Sequence, residues 1–80
     1  MKPVPIVLLV DDFESNLEVI EVYLKRVYDN HIVIYKAKTG AEALECFENY
    51  VIDLVLLDVM LPDMDGFFLC HTMKEKRGDD

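Results

Sequence analysis

The 80-residue sequence has no tryptophan, two cysteines and two histidines. Cys46 and Cys70 stand far apart, with no C-x-x-C pair and no cluster of cysteine and histidine, so the sequence indicates neither a redox motif nor a zinc site. We expect both thiols to be reduced and partly buried. His31 and His71 are equally isolated, and we interpret them as surface residues rather than metal ligands or catalytic bases.

Basic residues and long apolar runs are also scarce. Eight Lys and Arg residues stand against sixteen acids, and the net charge of -8 repels phosphate backbones and anionic lipid surfaces. Nucleic acid and membranes are therefore unfavourable partners for this segment. No apolar run approaches the roughly 20 residues of a spanning helix, and the N-terminal residues lack the cleavage region of a signal peptide. The predicted location is the cytoplasm.

Three short segments are predicted to be strands. Residues 6–10 and 54–57 are uninterrupted apolar runs, which are typical of strands in a parallel sheet with covered faces. Residues 32–37 form a β-rich run, which we expect to lie nearer the edge of the sheet.

Three helices are predicted between and after these strands. Residues 15–28 carry Leu17, Ile20, Leu24 and Val27 at helical spacing. A capping box from Thr39 to Glu42 opens a second helix that runs to about Tyr50, and residues 67–76 form a third that Gly78 ends. Strands that alternate with helices predict an open α/β parallel sheet with right-handed crossovers.

Acidic residues follow two of the predicted strands directly. Asp11 and Asp12 come after the first strand, and Asp58 ends the third. If the strand order is 2-1-3, the three carboxylates converge at the carboxyl edge of the sheet, where ligands of open α/β sheets bind. Like charges at this distance repel unless a cation neutralises them, and oxygen ligands at an open rim favour Mg²⁺. Any one of these acids alone is more often a turn or a helix cap.

The residues around these acids resemble the receiver domains of two-component response regulators. The resemblance rests on Val10-Asp11-Asp12, on the stretch from Asp53 through Leu54-Val55-Leu56-Leu57-Asp58-Val59-Met60-Leu61-Pro62-Asp63-Met64-Asp65 to Gly66, and on Gly40-Ala41-Glu42-Ala43-Leu44. It implies a flavodoxin-like fold and a phosphoryl group accepted by Asp58 from a sensor histidine kinase or phosphotransfer protein.

The resemblance also implies roles for the neighbouring residues. Asp12 and Asp58 would bind Mg²⁺ directly, the Met60 backbone carbonyl would complete the protein ligands, and Asp11 would act through a metal-bound water. Pro62 and Gly66 would shape the loop that presents Asp58.

Receiver domains resemble this chain only in part, because they have five strands in the order 2-1-3-4-5. The chain ends at Gly78-Asp79-Asp80, where the fourth strand of the family would begin, so residues 1–80 are expected to form a single partial domain. The Ser or Thr after strand four and the Lys after strand five then have no counterpart. The third strand would keep an unpaired edge, which predicts a homodimer formed through that edge.

Other functional classes fit less well. A phosphatase of the haloacid dehalogenase type needs a second acid two positions after its nucleophile, where Met60 stands. A Ca²⁺ loop around Asp63 fails at Leu61 and Thr72, and no nucleotide-binding glycine motif occurs. We therefore expect a signalling module and not an enzyme. The alternative left open is a receiver-like interaction or dimerisation fragment that is not phosphorylated.

Overall fold

The computed structural model describes residues 4–58 and 60–78. Val59 of the acidic motif and Asp79-Asp80 lie outside the described residues. The elements are β1 (Ile6–Val10), α1 (Glu14–Val27), β2 (Val33–Ala37), α2 (Gly40–Asn49), β3 (Leu54–Leu57) and α3 (Gly66–Arg77). All six predicted elements are confirmed in kind and order, and where their ends differ from the prediction they move by a single residue.

The three strands form one parallel sheet in the order β2-β1-β3. This confirms the predicted α/β class, the strand order and the edge position of β2. The central strand β1 pairs with both neighbours, and Val10 at its end lies beside Ala37 on one side and Leu57 on the other. The carboxyl ends of all three strands therefore lie at the same edge of the sheet.

Helices cover both faces of the central strand. Leu8 and Val10 belong to a core cluster with α2 and α3, whereas Val7 and Leu9 pack in a second cluster with Leu17 of α1. Because successive side chains of a strand point to opposite faces, an uninterrupted apolar run is what a strand with two covered faces requires. The apolar interpretation of residues 6–10 is confirmed by their burial.

The third strand is less well covered than β1. Within the described part of the chain its outer edge has no partner strand, and Leu54 at its start is 51% exposed. An open groove of about 580 Å³ follows this strand to Asp58 and also contacts Ile20 of α1. The sheet thus presents an accessible apolar edge beside the acidic residues.

Two predictions of burial were wrong. Val27 was grouped with the inward stripe of α1 but is exposed, because a helix of about 3.6 residues per turn places it about 80° from Leu17, at the margin of the stripe. Cys70 was expected to be partly buried but is exposed, since Leu69 and Met73 occupy the core-facing side of α3. Cys46 is partly buried as predicted.

The start of α2 follows the predicted capping box with one difference. The Thr39 hydroxyl oxygen accepts a hydrogen bond from the Glu42 N–H at 3.1 Å, as expected. The Glu42 carboxylate accepts from the N–H of Lys38 at 3.0 Å and not from that of Thr39. The Glu42 side chain therefore holds the backbone of Lys38, the residue before the N-cap. This contact fixes the path of the chain from β2 into α2.

The C-terminal end of α3 and the general character of the helices match the sequence. Gly78 adopts a left-handed conformation with φ of 81°, which glycine reaches without the steric cost that a Cβ adds.

His31 and His71 are exposed, as predicted. None of the helices in the described ranges has both the length and the apolar character needed to cross a bilayer.

Candidate metal centre

The sheet fixes the backbone of two acidic residues beyond the ends of the strands. The N–H of Asp58 donates to the carbonyl oxygen of Val10 at 2.9 Å, and the N–H of Asp11 donates to that of Ala37 at 3.0 Å. These bonds extend the ladders of β1 with both of its neighbours by one residue. Asp11 and Asp58 therefore leave adjacent strands at the same level.

The side chains of Asp11, Asp12 and Asp58 meet at this edge. One carboxylate oxygen from each lies within 4.8 Å of the others. Asp11 and Asp58 are half-buried and Asp12 is exposed, so the cluster opens to solvent on one side. The predicted convergence of the three acids is confirmed, and it follows directly from the 2-1-3 order of the strands.

Asp11 also has a structural role, as the alternative reading of strand-end acids anticipated. Its Oδ1 accepts from the N–H of Phe13 at 3.0 Å, and its Oδ2 accepts from the side-chain amide of Asn16 at 3.1 Å. Phe13 is the N-cap residue of α1 and supplies no side-chain cap. Asp11 therefore links the end of β1 to the first turn of α1, and its orientation is set by that turn.

Asp58 is joined to the loop that follows it. Its Oδ1 accepts from the N–H of Met60 at 3.3 Å, and Met60 itself is strongly exposed. This contact places Met60 next to the acidic cluster. The role of its backbone carbonyl as a metal ligand stays a prediction.

The chemistry of the cluster fits a hard divalent cation. All three side chains offer carboxylate oxygens, the ligand type that Mg²⁺ prefers, at a rim where the ion could keep several waters. Among the described residues, the ion pairs of lysines are formed with glutamates elsewhere: Lys38 with Glu14, Lys25 and Lys36 with Glu21, and Lys76 with Glu48. No described lysine ion pair thus compensates the charge of the three aspartates.

The role of Asp63, an acid in the loop that follows Asp58, was not recognised from the sequence. The two carboxylate oxygens of Asp63 accept hydrogen bonds from the N–H groups of Gly40 and Ala41, at 2.7 Å and 3.0 Å. The bond from Gly40, followed by that from Ala41, lowers the pKa of Asp63 below its ordinary value. The partners are 23 and 22 positions away in the chain, so no local sequence pattern could have shown this contact.

The parallel sheet, the strand-end acids and the loop after β3 together define a class of signalling domain. Residues 7–79 match the family described as the response regulator receiver domain. The match covers nearly the whole chain, and the chain belongs to this family.

Individual relatives agree with this assignment. The regulatory protein VanR of Enterococcus faecium is 37% identical over 70 residues, which are 88% of this chain and 29% of VanR. The non-phosphorylated HemR receiver domain of Leptospira biflexa superposes with a TM-score of 0.81 at 35% identity, over 94% of this chain and 58% of that one. The signal receiver domain of an HD domain-containing protein from Pseudomonas fluorescens Pf-5 gives a TM-score of 0.87 at 26% identity, over 98% of this chain and 55% of the other.

These similarities establish a flavodoxin-like receiver fold. The chain spans less than a third of the length of VanR and just over half the length of the two receiver structures.

Proposed function

We propose that this chain is the phospho-acceptor part of a response regulator in two-component signalling, with Asp58 as the acceptor. The donor would be a phosphohistidine on a sensor histidine kinase or on a phosphotransfer protein. The observation that carries the proposal is the meeting of Asp58 with Asp11 and Asp12 within 4.8 Å, in a chain that belongs to the receiver family.

The proposed reaction is a phosphoryl transfer in line with the bond that breaks. A carboxylate oxygen of Asp58 attacks phosphorus, the phosphorus–nitrogen bond of the phosphohistidine breaks, and its electron pair stays on the imidazole nitrogen, which is then free to take up a proton. The product is an acyl phosphate on Asp58. The chain's contribution is to hold the attacking oxygen in place, because the backbone of Asp58 is bonded to β1 through Val10.

The acidic cluster would hold Mg²⁺ through Asp12, Asp58 and the Met60 backbone carbonyl. When bound, the ion neutralises the acceptor carboxylate and the oxygens of the incoming phosphoryl group. Asp11 is proposed to act through a metal-bound water. This assignment is supported by the hydrogen bonds that both of its oxygens already accept from Phe13 and Asn16.

The test is intact-mass analysis after incubation with Mg²⁺ and acetyl phosphate. We expect one phosphoryl adduct on the unsubstituted chain and none on Asp58→Asn. Asp29→Asn is the matched control, since it makes the same change of charge at an exposed turn residue with φ of 52°, a conformation that asparagine tolerates. An adduct that persists in Asp58→Asn would contradict the assignment of the acceptor, and no adduct on any chain would favour the non-phosphorylated interaction fragment.

We also propose that residues 1–80 form a single partial receiver domain. The support is that the receiver structures to which the chain is similar extend well beyond the part that it matches.

A second copy of the chain is a candidate partner for the outer edge of β3. The half-exposed Leu54 and the groove beside the strand favour this self-association, because unpaired apolar edges pair readily with other strands. Light scattering across a concentration series would test it, with Leu54→Lys expected to shift the chain toward monomer. Val33→Lys places the same charge on the opposite edge of the sheet, at β2, and should leave the assembly unchanged. A monomer at every concentration would contradict the proposal.

A further inference from the structure

The two ends of the loop between β3 and α3 pair with each other, and we call this paired part the base of the loop. Met60 and Asp65 pair in an isolated antiparallel bridge, and the N–H of Met60 donates to Asp58. Asp65 in turn accepts from the N–H of Phe67 at 2.6 Å and so caps α3. The base of the loop therefore connects the acidic cluster to the start of the third helix.

The tip of the same loop rests on the start of α2. The carboxylate of Asp63 accepts from Gly40 and Ala41, the first two residues of that helix. The four leading N–H groups of a helix have no partner within it, and the positive end of the helix dipole favours a carboxylate there. Asp63 satisfies two of these donors across a distance of more than twenty residues in sequence.

A close packing contact accompanies these hydrogen bonds. Gly40 is buried, and a Cβ placed on it would lie 2.7 Å from Cε of Met64 and nearer still to other atoms of that side chain. Met64 also packs against the core cluster that includes Ala43. The loop tip is thus held on α2 by one polar and one apolar contact from consecutive residues.

We propose that Asp63 is a positioning residue for the acceptor site. It holds the tip of the loop against α2, and the base of the same loop carries Met60 and contacts Asp58. Asp63 lies outside the cluster of acids that could hold the ion, so it acts through the loop. The inference rests on the proposed function. It predicts that releasing the tip changes the site even when the sheet and helices remain folded.

The first test compares two losses of capping at the same helix end. Asp63→Ala removes the anchor of the loop, whereas Thr39→Ala removes the hydrogen bond to Glu42 and leaves the loop contacts in place. We expect Asp63→Ala to weaken Mg²⁺ binding, measured by calorimetric titration, by about tenfold, the lower end of the range found when a group that directly orients a metal ligand is removed, because Asp63 acts on the site through the loop. Thr39→Ala should bind Mg²⁺ as the unsubstituted chain does, and Asp63→Asn, which keeps one acceptor oxygen, should lie between. Equal weakening in Asp63→Ala and Thr39→Ala would mean that Asp63 is only a helix cap.

The second test perturbs the contact between the loop tip and α2 through Gly40 and leaves Asp63 unchanged. Gly40→Ala would push the Met64 side chain away and is expected to slow the formation of the acetyl phosphate adduct. Adding Met64→Ala makes room for the new methyl group and should restore the rate. A single variant with an unchanged rate, or a double variant that stays as slow as the single one, would overturn the inference.

The two proposals can fail separately. An unsubstituted chain that forms no adduct refutes the proposed function, and the positioning role falls with it. If the unsubstituted chain and Asp63→Ala form the acetyl phosphate adduct equally fast and bind Mg²⁺ with equal affinity, only the positioning role is refuted.

Discussion

Neutralising Asp58 should have opposite consequences for folding stability with and without Mg²⁺. Carboxylate oxygens of Asp58, Asp11 and Asp12 lie within 4.8 Å of one another, and at that separation each pair of unit charges repels by about 0.9 kcal/mol in water. Asp58 takes part in two such pairs. Salt screening at physiological ionic strength roughly halves the sum, so Asp58→Asn should raise the free energy of unfolding by about 1 kcal/mol in chelator.

Added Mg²⁺ should remove that advantage. A ligand present at ten times its dissociation constant stabilises the folded state by about 1.4 kcal/mol, provided that the unfolded chain does not bind it. The unsubstituted chain should gain this amount, whereas Asp58→Asn, which has lost one of the three carboxylates, should gain far less. Relative to chelator, added Mg²⁺ should therefore reverse the order of stability of the two chains or remove the difference between them.

Urea unfolding followed by far-ultraviolet circular dichroism would measure both effects. For a chain of this size a change of 1 kcal/mol moves the midpoint by about 1 M urea. Asp29→Asn again serves as the control and should show neither the gain in chelator nor a reduced response to Mg²⁺. An Asp58→Asn chain that is less stable than the unsubstituted one in chelator would refute the reasoning, because it would show that repulsion among the acids is not what the charge of Asp58 contributes.

Three more predictions concern the scaffold. Leu8→Ala should lower the free energy of unfolding by about 2–5 kcal/mol, since Leu8 is fully buried, and Leu54→Ala at the exposed edge should cost clearly less in the same urea experiment. Thr39→Ala should cost about 1 kcal/mol through the lost N-cap, and an unchanged midpoint would show that the cap is not needed. The hydrogen bond from Lys36, with that from Lys25, lowers the pKa of Glu21, so the stabilisation from Glu21 should be present at neutral pH and be lost as the pH falls through the acidic range below the ordinary carboxyl pKa; Glu21→Gln should flatten that part of a stability profile, and an unaltered profile would contradict the assignment.

The parts of the fold that the sequence predicts are those governed by local pattern. The apolar run from Ile6 to Val10 indicates a strand with two covered faces, because one residue in every two must otherwise be polar. The double acid after β1 and the single acid after β3 indicate the site, because parallel strands bring their carboxyl ends together. These features need only the spacing of residues and the order of the strands.

The features that escaped prediction depend on contacts between distant segments. Nothing in the neighbourhood of Asp63 shows that its partners are Gly40 and Ala41, and the reason for a glycine at position 40 is visible only once Met64 lies against it. The exposure of Val27 was missed for a different reason. Its side chain lies at the margin of the inward stripe, about 80° around the helix from Leu17, and helical spacing alone does not show how far around the helix the covering elements extend.

The register of the sheet has a consequence for how this chain can change. Val10 lies beside Leu57 in the pairing of β1 with β3, so Asp11 and Asp58 are level. A deletion or insertion of one residue in either strand would turn the acid that follows that strand toward the opposite face of the sheet, and a change of two residues would restore its direction but move it about 7 Å along the strand. Both changes leave an apolar strand that can still pair, yet neither leaves the acids gathered. We therefore expect insertions and deletions to be tolerated in the segment between α2 and β3, but not within β1 or β3 or between either strand and the acid that follows it.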